Sequence, residues 1–162
     1  MNASFWDFSL AVYGGDGVET ECLALQDQSG VDVNLLLLCA FAGAAHGATL
    51  TADEIASARN TVERWQQDIV RPLRAARRAM KPVARQDAQD LRTRLKEIEL
   101  ESERIEQTML QEWIDAHATN WLRGEKRAAV LANLQVLLSS YGVDRASAEA
   151  ALRNTVGAAL VA

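Results

Sequence analysis

A capping box opens the segment that most constrains how this chain can fold. Thr51 and Glu54 stand three residues apart, the spacing at which each side chain satisfies the other's backbone N–H at a helix start. Behind them Ile55, Ala58, Val62, Trp65, Ile69, Leu73, Ala76 and Met80 recur at intervals of three and four, which predicts one apolar stripe on one long helix, about 52–81. Pro72 falls inside it. A proline removes a backbone donor and crowds the carbonyl four residues back, but the stripe keeps its phase beyond it, so a kink is expected and not a break. Lys81-Pro82 ends the segment, because the residue before a proline resists helical geometry.

The rest of the chain reads the same way. Ser4 can cap a short helix carrying Phe5, Phe8 and Val12 on one face, stopped by Gly14-Gly15. A second helix spans about 18–28. Asp32 caps a third, Val33 to His46, which is apolar nearly all round and belongs at the centre of a bundle. From about 84 to 122, Leu91, Leu95, Ile98, Ile105 and Met109 form a heptad-like seam broken by Ser102, so this helix should pair with the preceding one as a long hairpin. Helices over 125–141 and after Asp144 complete the chain, and no stretch alternates as a strand does. Nearly half of the 162 residues are apolar (49%), enough for one packed core. The expectation is all-α: a single-domain bundle of about six to eight helices.

Charge is distributed unevenly. Residues 1–70 hold ten acids and two bases, residues 71–85 six bases and no acid, and the remainder twelve acids and nine bases. Within the basic segment Arg71, Arg74, Arg78 and Lys81 return to one side of a helix, with Arg77 beside them, roughly 120° from the apolar stripe. Such a row is expected to face solvent or an anionic partner, since guanidinium forks match carboxylate and phosphate. Attraction between the acidic and basic ends of the domain explains it equally well. The net charge of −5 disfavours nucleic acid as a partner.

Other constellations are weaker. Asp27, Asp32 and Asn34 offer oxygens to a hard cation, but their spacing lacks that of a calcium loop and Asp32 has a capping task, so no metal is assigned. Cys22 and Cys39 sit in apolar helices and read as buried thiols. His46 and His117 belong to no zinc or di-iron pattern. Trp6 is either a packing residue or a pocket wall. No phosphate loop or nucleophile elbow occurs, and no cofactor is implied. No basic residue precedes the apolar stretch of MNASFWDFSLAVY, and Val33 to Ala45 is too short to span a bilayer, so a cytoplasmic protein is expected.

The blocks FWDFSLAVY (5–13), CLALQD (22–27) and DVNLLLL (32–38), with Trp65 and VRPLRAARR (70–78), resemble a proteobacterial family of small proteins known only as a domain of unknown function. The resemblance covers about residues 4–81. At Ala40-Phe41 similar sequences lead one to expect a tryptophan. It implies no catalytic or ligand residues.

Two functions follow. One is a non-enzymatic adaptor whose Arg71, Arg74, Arg77, Arg78 and Lys81 face docks an acidic protein surface or a second copy of the chain. The other is a helical enzyme or carrier for a phosphorylated or carboxylated small molecule, with Trp6, Asp27 and Asp32 in a pocket and a divalent metal as an option. A convex cationic ridge favours the first, and a pocket enclosed by Trp6, Asp27, Asp32 and Arg74 the second.

Overall fold

The computed structural model describes residues 4–162, and among these no strand forms and nine α-helical segments do. They are α1 (Phe5–Tyr13), α2 (Val18–Ser29), α3 (Val33–His46), α4 (Ala52–Trp65), α5 (Arg71–Ala79), α6 (Gln86–His117), α7 (Lys126–Ser139), α8 (Arg145–Ala151) and α9 (Arg153–Val161). The fold is all-α. The expected caps form: Ser4 Oγ accepts the Asp7 N–H, Asp32 accepts the N–H groups of Asn34 and Leu35, and Thr51 and Glu54 make the reciprocal box. The C-terminal helix expected after Asp144 divides at Leu152.

α3 is the axis of the bundle, with eleven of its fourteen residues buried. It lies closest to α7, where a Cβ on Gly43 would stand 2.5 Å from the Val130 backbone nitrogen. Only glycine allows that approach. Asn133 on α7, fully buried, ties the turn after α3 to the core. Its Nδ2 donates to the carbonyls of Cys39 and Ala48, and its Oδ1 accepts the Leu50 N–H at 2.7 Å. Helices α1, α4, α6 and α9 surround α3, and Phe5, Phe8 and Phe41 pack ring against ring.

The long hairpin forms, and two details of it differ from expectation. First, α4 continues into α5 through a π turn, Gln66–Val70, in which the Arg71 N–H bonds to the Gln66 carbonyl five residues back. Pro72 lies just beyond, and the wider turn accommodates its missing donor and its ring. The extra residue changes the phase of the stripe. Gln66 and Val70 are buried, whereas Ile69 is 37% exposed. Second, the α6 seam is displaced: Leu91, Ile98 and Ile105 are 42%, 49% and 43% exposed, and the inner face carries Glu99, Ser102, Glu106 and Leu110. No helix of the described residues is long and apolar enough to cross a membrane.

Candidate functional site

A cleft of about 1410 Å³ opens between α1, α2, the start of α3, the π turn with α5, and the middle of α6. Trp6, Asp27, Asp32 and Arg74, remote in sequence, all line it. Its upper wall is apolar: Trp6 is half-buried with the Arg104 guanidinium 5.0 Å from its ring centroid, and Leu10, Leu23 and Leu100 stand exposed nearby. Six basic and six acidic side chains line the cleft, so its walls are balanced in charge even though α5 is strongly basic.

The basic row does not stand free in solvent as its spacing suggested. The phase change at the π turn rotates Arg74 and Arg77 toward α6. Arg74 donates to Glu99 at 3.0 Å and to Glu103 at 2.6 Å, with 15% of its side chain exposed, and Arg77 donates to both Glu99 oxygens. Burial pushes the Glu99 carboxyl up, but the Arg77 and Arg74 bonds outweigh it and hold the group below its ordinary value. For Glu103 burial prevails over Arg74 and the carboxyl is raised. Arg78 pairs with Asp27 at 2.7 Å on the surface, both about half exposed. Of the row, Arg71 lines the cleft with no ion pair among the described residues, and Lys81 is exposed beyond the end of α5.

Below the arginines lies a polar floor. Asp32 and Asn34 come from the start of α3, Gln66 from the π turn, and Glu106 and Gln107 from α6; all five are buried. Asn34 Nδ2 and Gln66 Nε2 donate to Glu106 Oε2 at 3.1 and 2.9 Å, and Gln107 Nε2 donates to Asn34 Oδ1 at 2.9 Å. The Asp32 carboxylate caps α3 and faces Glu106. Burial first, and then the Asp32 charge and hydrogen bond, push the Glu106 carboxyl up to about 9. At neutral pH Glu106 is therefore held as the neutral acid beside Asp32. Asp32, Gln66 and Arg71 also line a smaller cavity of about 110 Å³ that reaches Arg59 and Tyr141.

Residues 4–110 match the model of a family described as proteins of unknown function, DUF2390. The chain belongs to that family. No curated protein and no solved structure matches it. The DUF2390 segment runs from the cap of α1 to Leu110 and contains every residue that lines the cleft. Helices α7 to α9 lie outside it and complete the core from the other side.

The remaining candidates fall away from the cleft or into its structure. Cys22 and Cys39 are free, buried thiols, each pushed up to about 12 by burial. His46 ends α3 between the rings of Phe41 and Trp121, and burial holds it below its ordinary value. His117 stacks on Trp113, and Trp65 donates to the Ser102 carbonyl. Among the described residues no group of three or more His, Cys, Asp or Glu is arranged around a metal position. Glu99, Glu103, Gln66, Glu106 and Gln107 were not singled out by the sequence. For Glu99 and Glu106 the signal was the polar interruption of the α6 seam at Ser102, which they flank three residues before and four after.

Proposed function

We propose that this protein binds a small molecule bearing a phosphate or carboxylate, with the cleft as its seat and Arg71 as the anionic group's anchor. One observation carries the reading: Trp6, Asp27, Asp32 and Arg74 converge on a concave surface, whereas docking of an acidic protein on α5 would favour a convex ridge. The cleft exceeds the roughly 300–1,000 Å³ of typical ligand pockets, so the ligand fills part of it. Arg74, Arg77 and Arg78 hold the walls through their ion pairs, and Arg71 is available to an incoming anion. A reducing, cytoplasmic setting suits the two free thiols.

A thermal-shift panel of phosphorylated and carboxylated metabolites tests this. A ligand at about a hundred times its Kd adds roughly 2.7 kcal/mol, which is roughly 5–10 °C for a chain of this size. Arg71→Glu should abolish the shift and leave the unliganded Tm within a degree or two. A panel without any stabilising compound, or an undiminished shift in the variant, overturns the reading.

A second reading has its own observation. Leu91, Ile98 and Ile105, seven residues apart, leave an exposed apolar line along α6 next to the exposed Lys81 turn, which suits self-association or an adaptor contact. Sedimentation velocity of the wild type against Ile98→Glu distinguishes it: identical monomeric profiles remove this reading.

A further inference from the structure

The hydrogen-bond accounting of the cleft floor is one-sided. The donations from Asn34 and Gln66 to Glu106, and from Gln107 to Asn34, fix which end of each amide is nitrogen and which is oxygen. Three buried oxygens are then left without a protein donor: Gln66 Oε1, Gln107 Oε1 and Glu106 Oε1. Glu106 is fully buried, and the two glutamines are 6% and 7% exposed. Folded proteins leave few such atoms unanswered. All three of these floor atoms accept; the orphan donors nearby are the Ser9 hydroxyl on the cleft wall and Arg59 Nε beside the smaller cavity. Glu106 Oε1 can carry the carboxyl's own proton, but neither glutamine oxygen has that recourse.

A group that answers the two glutamine oxygens must bring more than one N–H donor, and next to a carboxyl pair it gains by being positive. A protonated primary amine has that chemistry, with three donors on one compact charge. Gln66, Gln107 and Asp32 line the same cleft as Arg71, and the equal numbers of acids and bases along its walls suit a ligand carrying both signs. We infer that the ligand is a small zwitterion, whose ammonium donates to the Gln66 and Gln107 oxygens above the buried Glu106 carboxyl while its anionic end meets Arg71. This inference rests on the anion-binding role of the cleft and adds the opposite end of the ligand. As the ammonium arrives, the Glu106 carboxyl releases its proton to solvent, leaving a carboxylate beneath the cation.

Calorimetric titration of the full chain tests it with three matched ladders of chain length. These are ω-amino carboxylates with ω-aminoalkyl phosphates, the same acids and phosphates without the amine, and alkylammonium ions. The best zwitterion should bind at least tenfold more tightly than its amine-free counterpart. At pH 7.5, paired titrations in buffers of different ionisation enthalpy should show release of close to one proton. Glu106→Gln keeps a neutral side chain of the same shape, and should erase both the tenfold gain and the proton release while leaving amine-free anion affinity unchanged. Arg71→Glu should weaken zwitterions and simple anions alike. Anions that bind as tightly as zwitterions overturn the ammonium seat and leave the anion site standing. Alkylammonium binding that depends on Glu106 but not on Arg71, with no anion bound, keeps the seat and overturns the anion site. No binding from any ladder overturns both.

Discussion

Glu106→Gln isolates the buried carboxyl pair, and its effect on stability follows from the floor geometry. The Glu106 carboxyl titrates at 4.5 when unperturbed and is raised to about 9 in the folded chain. Below 4.5 both states hold the proton, so nothing is lost. Between the two values the unfolded chain has released its proton and the folded chain has not, and stability falls as pH rises. One whole proton gives a slope of about 1.4 kcal/mol per pH unit, or up to about 3 kcal/mol between pH 6 and 8. That figure is a ceiling, because part of the rise at Glu106 comes from the neighbouring Asp32 charge and not from burial alone. Glutamine reproduces the neutral acid: its oxygen can accept from Asn34 and Gln66 and its amide can donate to Asp32, with no proton to lose. The groups that act on position 106 are Asp32 from the α2–α3 connection, Asn34 on α3 and Gln66 in the π turn, with Glu103 and Gln107 its neighbours along α6. Only the acids titrate, and Glu103 is present in both proteins. His46, lowered by burial, contributes in the opposite sense near pH 6 and cancels in the difference. Urea unfolding of both proteins at pH 6, 7 and 8 is the assay. The variant's advantage should grow with pH by about 1 kcal/mol or more per unit. Parallel pH profiles would refute the retained Glu106 proton.

Three further outcomes follow from the packing and the ion pairs. Gly43→Ala should gain about 1 kcal/mol in helix propensity and still lose about 2–4 kcal/mol overall, because its Cβ meets the Val130 backbone and not a side-chain tip; an unchanged denaturation midpoint contradicts the close approach of α3 and α7. Arg74→Ala should cost about 3 kcal/mol, since it leaves Glu103 without its cation and Glu99 with Arg77 alone. Arg78→Ala should cost under about 1 kcal/mol, because that pair is half in water; equal losses in the two variants would put both arginines in the same environment. Asn133→Ala removes the partners of one N–H and two carbonyls in the core and should cost about 3 kcal/mol by urea titration. A loss below about 1 kcal/mol would mean that water reaches the turn after α3.

The elements were legible where a local rule sufficed. Ser4, Asp32 and the Thr51–Glu54 box each commit their backbone within three residues, and all three helix starts fall where those side chains place them. The apolar surround of α3 required a central position, which it takes. Phase was harder. The stripe from Ile55 to Met80 fits an uninterrupted α-helix, and nothing short of tertiary packing reveals that Gln66 and Val70 win the interior from Ile69. The α6 seam misled for a related reason. Leu91, Ile98 and Ile105 keep a perfect heptad, but the interior they would have filled is occupied by ion pairs with α5 and by the polar floor.

That single change of phase accounts for most of what the sequence could not say about the site. At 100° per residue, positions five apart on an α-helix diverge by about 140°, so Gln66 and Arg71 would face different neighbours. The bond from the Arg71 N–H to the Gln66 carbonyl brings them onto one side, and both line the cleft. The same step turns Arg74 and Arg77 inward onto Glu99, which removes them from the surface where an adaptor would read them. A charge reversal at Arg74 and Arg78 would therefore place new acids beside Glu103 and Asp27 and report on stability before it reported on any partner. Arg71 is the position at which a test of the proposed binding separates from folding, because it lines the cleft with no ion pair among the described residues. The π turn thus joins an acceptor-rich floor to a cationic rim within six residues, and the proposed two-signed ligand rests on that juxtaposition.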